Sequence, residues 1–79
     1  MTLSKSEFCE FSLNARYKLV KEFGQFIIRR TFVEKKISVY KIYEFHVEAV
    51  HIEPNNRLLK IEPIFSMPLL NYYITLHEQ

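Results

Sequence analysis

Aspartate is missing from the 79-residue chain altogether, and glycine and cysteine occur once each, as Gly24 and Cys9. Without Asp there is no Ser-His-Asp triad and no paired-Asp site, and no nucleophile-elbow motif supports a Glu-based version. A single glycine rules out the Gly-rich phosphate loops and the dinucleotide fingerprint, because both need several positions where backbone can approach phosphate. A lone cysteine makes no intrachain disulfide, so a reducing cytoplasm is the expected compartment. Cys9 lies between Phe8 and Phe11 with no basic neighbour to activate its thiol, and packing is its expected role. No apolar run reaches the length of a membrane span or of a signal peptide's apolar region.

What the chain has is apolar surface. Nearly half its residues are hydrophobic, including seven Phe and five Tyr, which excludes a disordered tail and argues for one packed domain over residues 1–79. That size is close to the limit at which a single core stabilises a fold unaided, so a second chain burying further surface is a natural stabiliser. The first 45 residues carry nine Lys or Arg against five Glu, and the remaining 34 carry two against four. This polarity is too mild to imply a nucleic-acid or membrane partner.

Ser12 is a good N-cap for a helix running to about Gly24, which is expected to supply a left-handed exit. Leu13, Tyr17, Val20 and Phe23 share one arc of that helix, with Asn14, Lys18, Lys21 and Glu22 opposite. The period then changes to two. "QFIIRRTFV" and "ISVYKIY" read as strands with a reversal at the charged 34–36, and both alternating sets of the first strand are largely apolar, so both faces of the sheet want cover. "EFHVEAVHI" and "RLLKIEPI" read as third and fourth strands joined through Asn55 and Asn56, which tolerate the left-handed conformation of a tight turn. A loop centred on the two Asn pairs Ile52 with Leu59, His51 with Lys60 and Val50 with Ile61. In the tail, Ser66 and Pro68 mark a helix start while Tyr72, Ile74 and Leu76 alternate as a strand does, and the helix is favoured. The expected fold class is α+β: an N-terminal helix on a four-stranded antiparallel β-meander, followed by a short C-terminal helix or a fifth strand.

The third strand carries two His-x-Glu pairs, His46/Glu48 and His51/Glu53. In an unbroken strand the pairs point to opposite sides. The apolar pattern slips phase, however, since Phe45, Val47 and Ala49 are odd-numbered whereas Val50 and Ile52 are even. A β-bulge near Ala49 would produce that slip and bring all four polar residues to one face. His46, Glu48 and His51 are the metal-ligand candidates this yields, although residues five apart on a strand are too distant to share an ion easily. The plainer alternative is a solvated face of alternating His and Glu.

Arg16 falls inside the apolar arc of the helix, where its stem would lie along the core and its head reach solvent or a carboxylate such as Glu62. A contact with an anion at the helix–sheet junction is the functional alternative. Arg29, Arg30, Lys35 and Lys36 with Phe26, Tyr40 and Tyr43 have the composition of a nucleic-acid surface. Adjacent arginines on a strand point to opposite faces and no RNP-type motif is present, so charges guarding strand edges and turns are the expected reading.

Taken together, "RYKLVKEFGQFIIRR", "HVEAVHIEPNNRLLKIE" and "LLNYY" resemble a family of short uncharacterised bacterial proteins in which a helix ends in Gly-x-Phe, a β-meander follows and a Leu/Tyr-rich segment closes the chain. The resemblance spans most of the chain from about Ser12. It implies a fold and no activity, and Ala49 and His51 stand where such strands carry larger apolar residues. With no catalytic motif and no cofactor signature, the expected function is a non-enzymatic protein-interaction module, homodimeric through an apolar sheet face. The rival is a metal- or small-molecule-binding site on the strand from His46 to Glu53.

Overall fold

The computed structural model describes residues 2–78. The elements run α1 (Lys5–Cys9), α2 (Leu13–Phe23), β1 (Gln25–Phe32), β2 (Lys35–Ile42), β3 (Phe45–Ile52), β4 (Arg57–Pro63) and α3 (Met67–Glu78). The strands form one antiparallel meander in the order β1-β2-β3-β4. This is the α+β arrangement expected from the periodicities, with the tail resolved as a helix.

Each helix start is set by a serine. Ser4 forms a capping box with Glu7: its hydroxyl accepts from the Glu7 N–H at 3.1 Å and its own N–H donates to Glu7 Oε1 at 2.9 Å. Ser12 Oγ accepts from the Ala15 N–H, and Ser66 Oγ accepts from the Leu69 N–H at the head of α3. Gly24 ends α2, but not in a left-handed turn. Its backbone is extended, and its need is steric: a Cβ there would lie 2.5 Å from the Val20 carbonyl oxygen that accepts the Gly24 N–H. The chain therefore passes from α2 straight into β1. Left-handed residues instead make the three hairpin turns, at Glu34, Tyr43 and Asn56.

The sheet has helices on both sides. On one, Phe8 from α1 and Val20 from α2 pack with Ile42, Phe45, Val47, Ala49 and Ile61. Phe8 is fully buried, edge-on to Phe45 with ring centroids 5.7 Å apart, and its burial is worth about 1.5–3 kcal/mol. On the other, Tyr73 of α3 packs with Val39 and Ile64, flanked by Ile27, Ile28, Ile37, Leu69 and Leu70. The C-terminal helix thus supplies the cover that the second apolar face of the sheet requires.

Two local expectations are corrected by the registry. β3 pairs with β2 without interruption from Phe45↔Ile42 to Ile52↔Lys35, so it contains no bulge near Ala49. The extra residue is in β4: Val50 pairs with Lys60 and His51 with Leu58, leaving Leu59 between them. The apparent phase slip in the sequence arises because β3 is buried on both faces, with Phe45, Val47 and Ala49 toward α1 and α2 and Val50 toward α3. The β3–β4 hairpin is likewise registered differently from a loop centred on the two Asn. Ile52 faces Arg57 and Ala49 faces Ile61, because the turn spans residues 53–56 and only Asn56 is left-handed.

The Arg16 guanidinium turns to the backbone and not to Glu62. Its guanidinium donates to three backbone carbonyls, Cys9 O at 2.7 Å, Phe11 O at 3.0 Å and Ile61 O at 2.8 Å. The rigid fork thereby ties the end of α1, the α1–α2 turn and β4 into one corner.

Candidate anion-binding cleft

Alternation along the unbroken β3 separates the sequence-level candidates. His46 and Glu48 point to the α3 side, and His51 points to the α2 side. Glu48 is engaged there, its Oε2 accepting from the Tyr73 hydroxyl at 2.7 Å. His46 sits across from Lys41. Burial lowers its pKa below the ordinary histidine value, with Lys41 and then Lys5 adding to the effect. Glu53 lies beyond the strand and ion-pairs with Lys36 at 3.5 Å. The His46, Glu48 and His51 side chains do not converge, and among the described residues no group of three or more His, Cys, Asp or Glu is placed to hold a metal ion.

The α2 side of the sheet changes character along its length, and the registry shows why. On β2 the residues facing α2 run Ile42, Tyr40, Ser38, Lys36, and opposite them on β3 run Phe45, Val47, Ala49, His51. On β1, Phe26 is opposite Tyr40, Arg29 opposite Ser38 and Thr31 opposite Lys36. One end of this face is therefore core and the other is polar and cationic. Between them Ser38, only 1 % exposed, is the one buried polar residue among those described.

The polar end forms a cleft of about 210 Å³, several times the volume of a water molecule. Helix α2 contributes Tyr17 and Lys21 to its wall, the sheet contributes Arg29, Lys36, Ser38, Tyr40 and His51, and the β3–β4 turn contributes Asn56. Arg29 is held in place from two directions: its Nε donates to Ser38 Oγ at 3.1 Å, and its guanidinium carbon lies 5.5 Å from the centre of the Phe26 ring. The Lys21 ammonium lies 5.7 Å from the centre of the Tyr17 ring. Both contacts leave further N–H donors on each cation free for a ligand.

His51 reports the field in this cleft. Its pKa is lowered first by burial and then by the positive charges of Lys36, Arg29 and Lys21, with Glu53 opposing them. Three cations close enough to discourage a fourth positive charge will also favour a negative one. The arrangement can bind an anionic group with Arg29 as a planar fork and Lys21 and Lys36 as mobile point charges. The His51 ring and the Tyr17 and Tyr40 rings are apolar walls with polar tips.

Of the basic and aromatic residues noted in the sequence, Arg29, Lys36, Phe26 and Tyr40 share this face. Arg30 points the other way, donating to the Tyr72 hydroxyl at 2.6 Å and lying near the Phe32 and Tyr72 rings. The alternation of the two arginines is as expected, but a common basic surface forms nonetheless, because Lys21 of α2 joins Arg29 and Lys36 across the helix–sheet gap. Lys21 escaped the sequence reading. It sits on the polar face of the helix, yet it lines the same cleft as Arg29, Lys36 and His51.

Comparison with known proteins finds no match: no family model fits the chain, and no curated protein and no solved structure aligns significantly with it.

Proposed function

We propose that the protein is a non-enzymatic interaction module that recognises an acidic group on a partner in the cleft between α2 and the β1–β3 face. The observation that carries this reading is the convergence of Lys21, Arg29 and Lys36 around His51 in a concave site, with Glu53 outside its lining and ion-paired to Lys36. Such a site attracts carboxylate or phosphate and discriminates by charge and reach. The likeness to short bacterial α+β proteins concerns core and turn residues and adds no ligand to this reading. An NMR titration with inorganic phosphate as the minimal anion tests it. Saturable shifts of the Ser38 and His51 amides, lost in Arg29→Ala and Lys36→Ala, are expected. Identical responses in wild type and both variants would overturn the reading.

Self-association is a second reading, favoured by one observation. Phe32 and Tyr72 are each about half exposed and are bridged by Arg30 on the α3 side. A dimer would then use the rim where α3 meets β1, since α3 itself occupies the apolar sheet face. Light scattering that gives the monomer mass at high micromolar concentration would remove it.

A further inference from the structure

We infer that the acidic partner docks as an extended strand on the outer edge of β1, placing a carboxylate side chain in the cleft beside Arg29. The inference rests on the anion-binding reading above and specifies the shape of the ligand.

Two independent features meet at this edge. The first is backbone. Among the described residues β1 pairs only with β2, and its other side has no strand partner. A bulge at Ile27 interrupts the β1–β2 ladder, and from Ile28 to Phe32 the pairing is regular. A regular five-residue edge is a template for strand addition, in which main-chain hydrogen bonds give affinity and alternate side chains give selectivity. The opposite edge is a poorer template. β4 has its bulge at Leu59 in mid-strand, ends at Pro63 and carries the Lys60–Glu62 ion pair at 3.2 Å.

The second feature is charge. Residues 25–36 contain Arg29, Arg30, Lys35 and Lys36 against the single Glu34. On an added strand, side chains alternate between the two sides of the sheet. Those on the α2 side come alongside Arg29 and Thr31, at the mouth of the cleft. Those on the α3 side come alongside Ile28, Arg30 and Phe32. The complementary segment is thus acidic toward α2 and apolar toward α3, where Phe32 is half exposed. A second copy of this chain fits less well. Antiparallel pairing of the 28–32 edge with itself about a two-fold axis sets Arg30 of one copy directly against Arg30 of the other, with each Arg29 opposite Thr31, and like charges across a ladder are destabilising.

The test uses the full chain and a blocked Val-Glu-Val-Glu-Val peptide, followed by calorimetry and by amide shifts. Saturable binding with shifts centred on residues 28–32 is expected. Affinity should fall at least tenfold when both Glu become Gln, when Arg29→Ala is used, and in one of two peptides N-methylated on alternate residues, since only one set of amides faces β1. If both N-methylated peptides bind like the parent while the Gln peptide does not, the strand geometry is wrong although the cleft still reads an acidic group. If the Gln peptide binds as tightly as the Glu peptide, both readings fail. Shifts of residues 28–32 that follow protein concentration without peptide would give the edge to a second copy and overturn the inference.

Discussion

Lys36 on β2 and His51 on β3 face each other across the ladder on the side of the sheet covered by α2. Each is surrounded by the other charges of the cleft, and their juxtaposition makes the protonation of His51 a measure of the local field. Burial is the first cause of the lowered His51 pKa and Lys36 the second. Lys36→Ala should therefore move the His51 titration upward, toward the ordinary value of about 6.5. His46 faces Lys41 on the other side of the sheet, with burial and Lys41 as its main influences, and should not move. A proton NMR titration of the imidazole signals measures both in one experiment. Equal shifts of the two histidines would show that the effect is not local to the cleft.

The same two histidines set a stability slope. Each has a folded pKa below its unfolded value, so the unfolded chain takes up the proton first as pH falls. Stability is unaffected by them above about pH 6.5 and declines as pH drops below it. Urea midpoints at pH 7.5 and pH 5 should differ less in the His46→Gln, His51→Gln double variant than in wild type. An unchanged difference would assign the acid sensitivity elsewhere.

Arg16 joins α1, α2 and β4 through three carbonyls. Two of these contacts are exposed and one is partly buried, so their loss is placed toward the lower part of the range for charged hydrogen bonds, with Arg16→Ala costing about 2 kcal/mol. Arg16→Lys should recover less than half of this, because an ammonium cannot reach three carbonyls in the fixed geometry of a fork. Equilibrium urea unfolding gives both values. Full rescue by lysine would show that charge alone, and not the fork, is what the corner needs.

Much of the fold was legible because binary patterns state it directly. Period 3.6 from Leu13 to Phe23 and period two through the strands place α2 and the meander, and Ser66 with Pro68 starts α3. α1 was missed although Ser4 and Glu7 have the spacing of a capping box; five residues show too little periodicity to stand out. Gly24 marked the end of α2 correctly for a different reason, since the constraint is the Val20 carbonyl and not a left-handed turn. The cleft was less legible. Arg29, Lys36, Tyr40 and His51 were all singled out, but their grouping depends on registry between strands. A bulge assigned to β3 instead of β4 changes which side each polar residue takes.

Tyr43 closes the β2–β3 turn with positive φ, its ring between Phe23 and Phe45. Its hydroxyl oxygen is buried with no hydrogen-bond partner among the described residues. An unsatisfied buried hydroxyl costs roughly 1–3 kcal/mol in desolvation. Tyr43→Phe should consequently be neutral or raise stability by up to about 1 kcal/mol, allowing for the small void left behind. A loss of more than that in thermal or urea unfolding would mean that the hydroxyl has a bridging water and contributes to the fold.

Tyr73 is the residue by which α3 holds the sheet. Its ring is buried against Val39 and Ile64, and its hydroxyl donates to Glu48 Oε2 at 2.7 Å. Burial first, and then the hydrogen bond and the negative charge of Glu48, push its pKa well above the ordinary tyrosine value. The neutral phenol is thus favoured in the folded state. Its contribution to stability is complete below the unfolded pKa of about 10 and is lost as pH rises from there toward the folded value. Tyr73→Phe keeps the ring and removes the donor, at a cost of about 1–2 kcal/mol at neutral pH. The difference in stability between wild type and Tyr73→Phe should then narrow above pH 10, because the unfolded wild-type chain ionises its phenol there while the folded one, beside Glu48, keeps its proton. Adding Glu48→Gln separates the pair from the packing, since a double-mutant cycle isolates their coupling. A wild-type advantage that holds constant from pH 8 to pH 11, or a cycle with no coupling, would show that α3 is held by its apolar contacts alone.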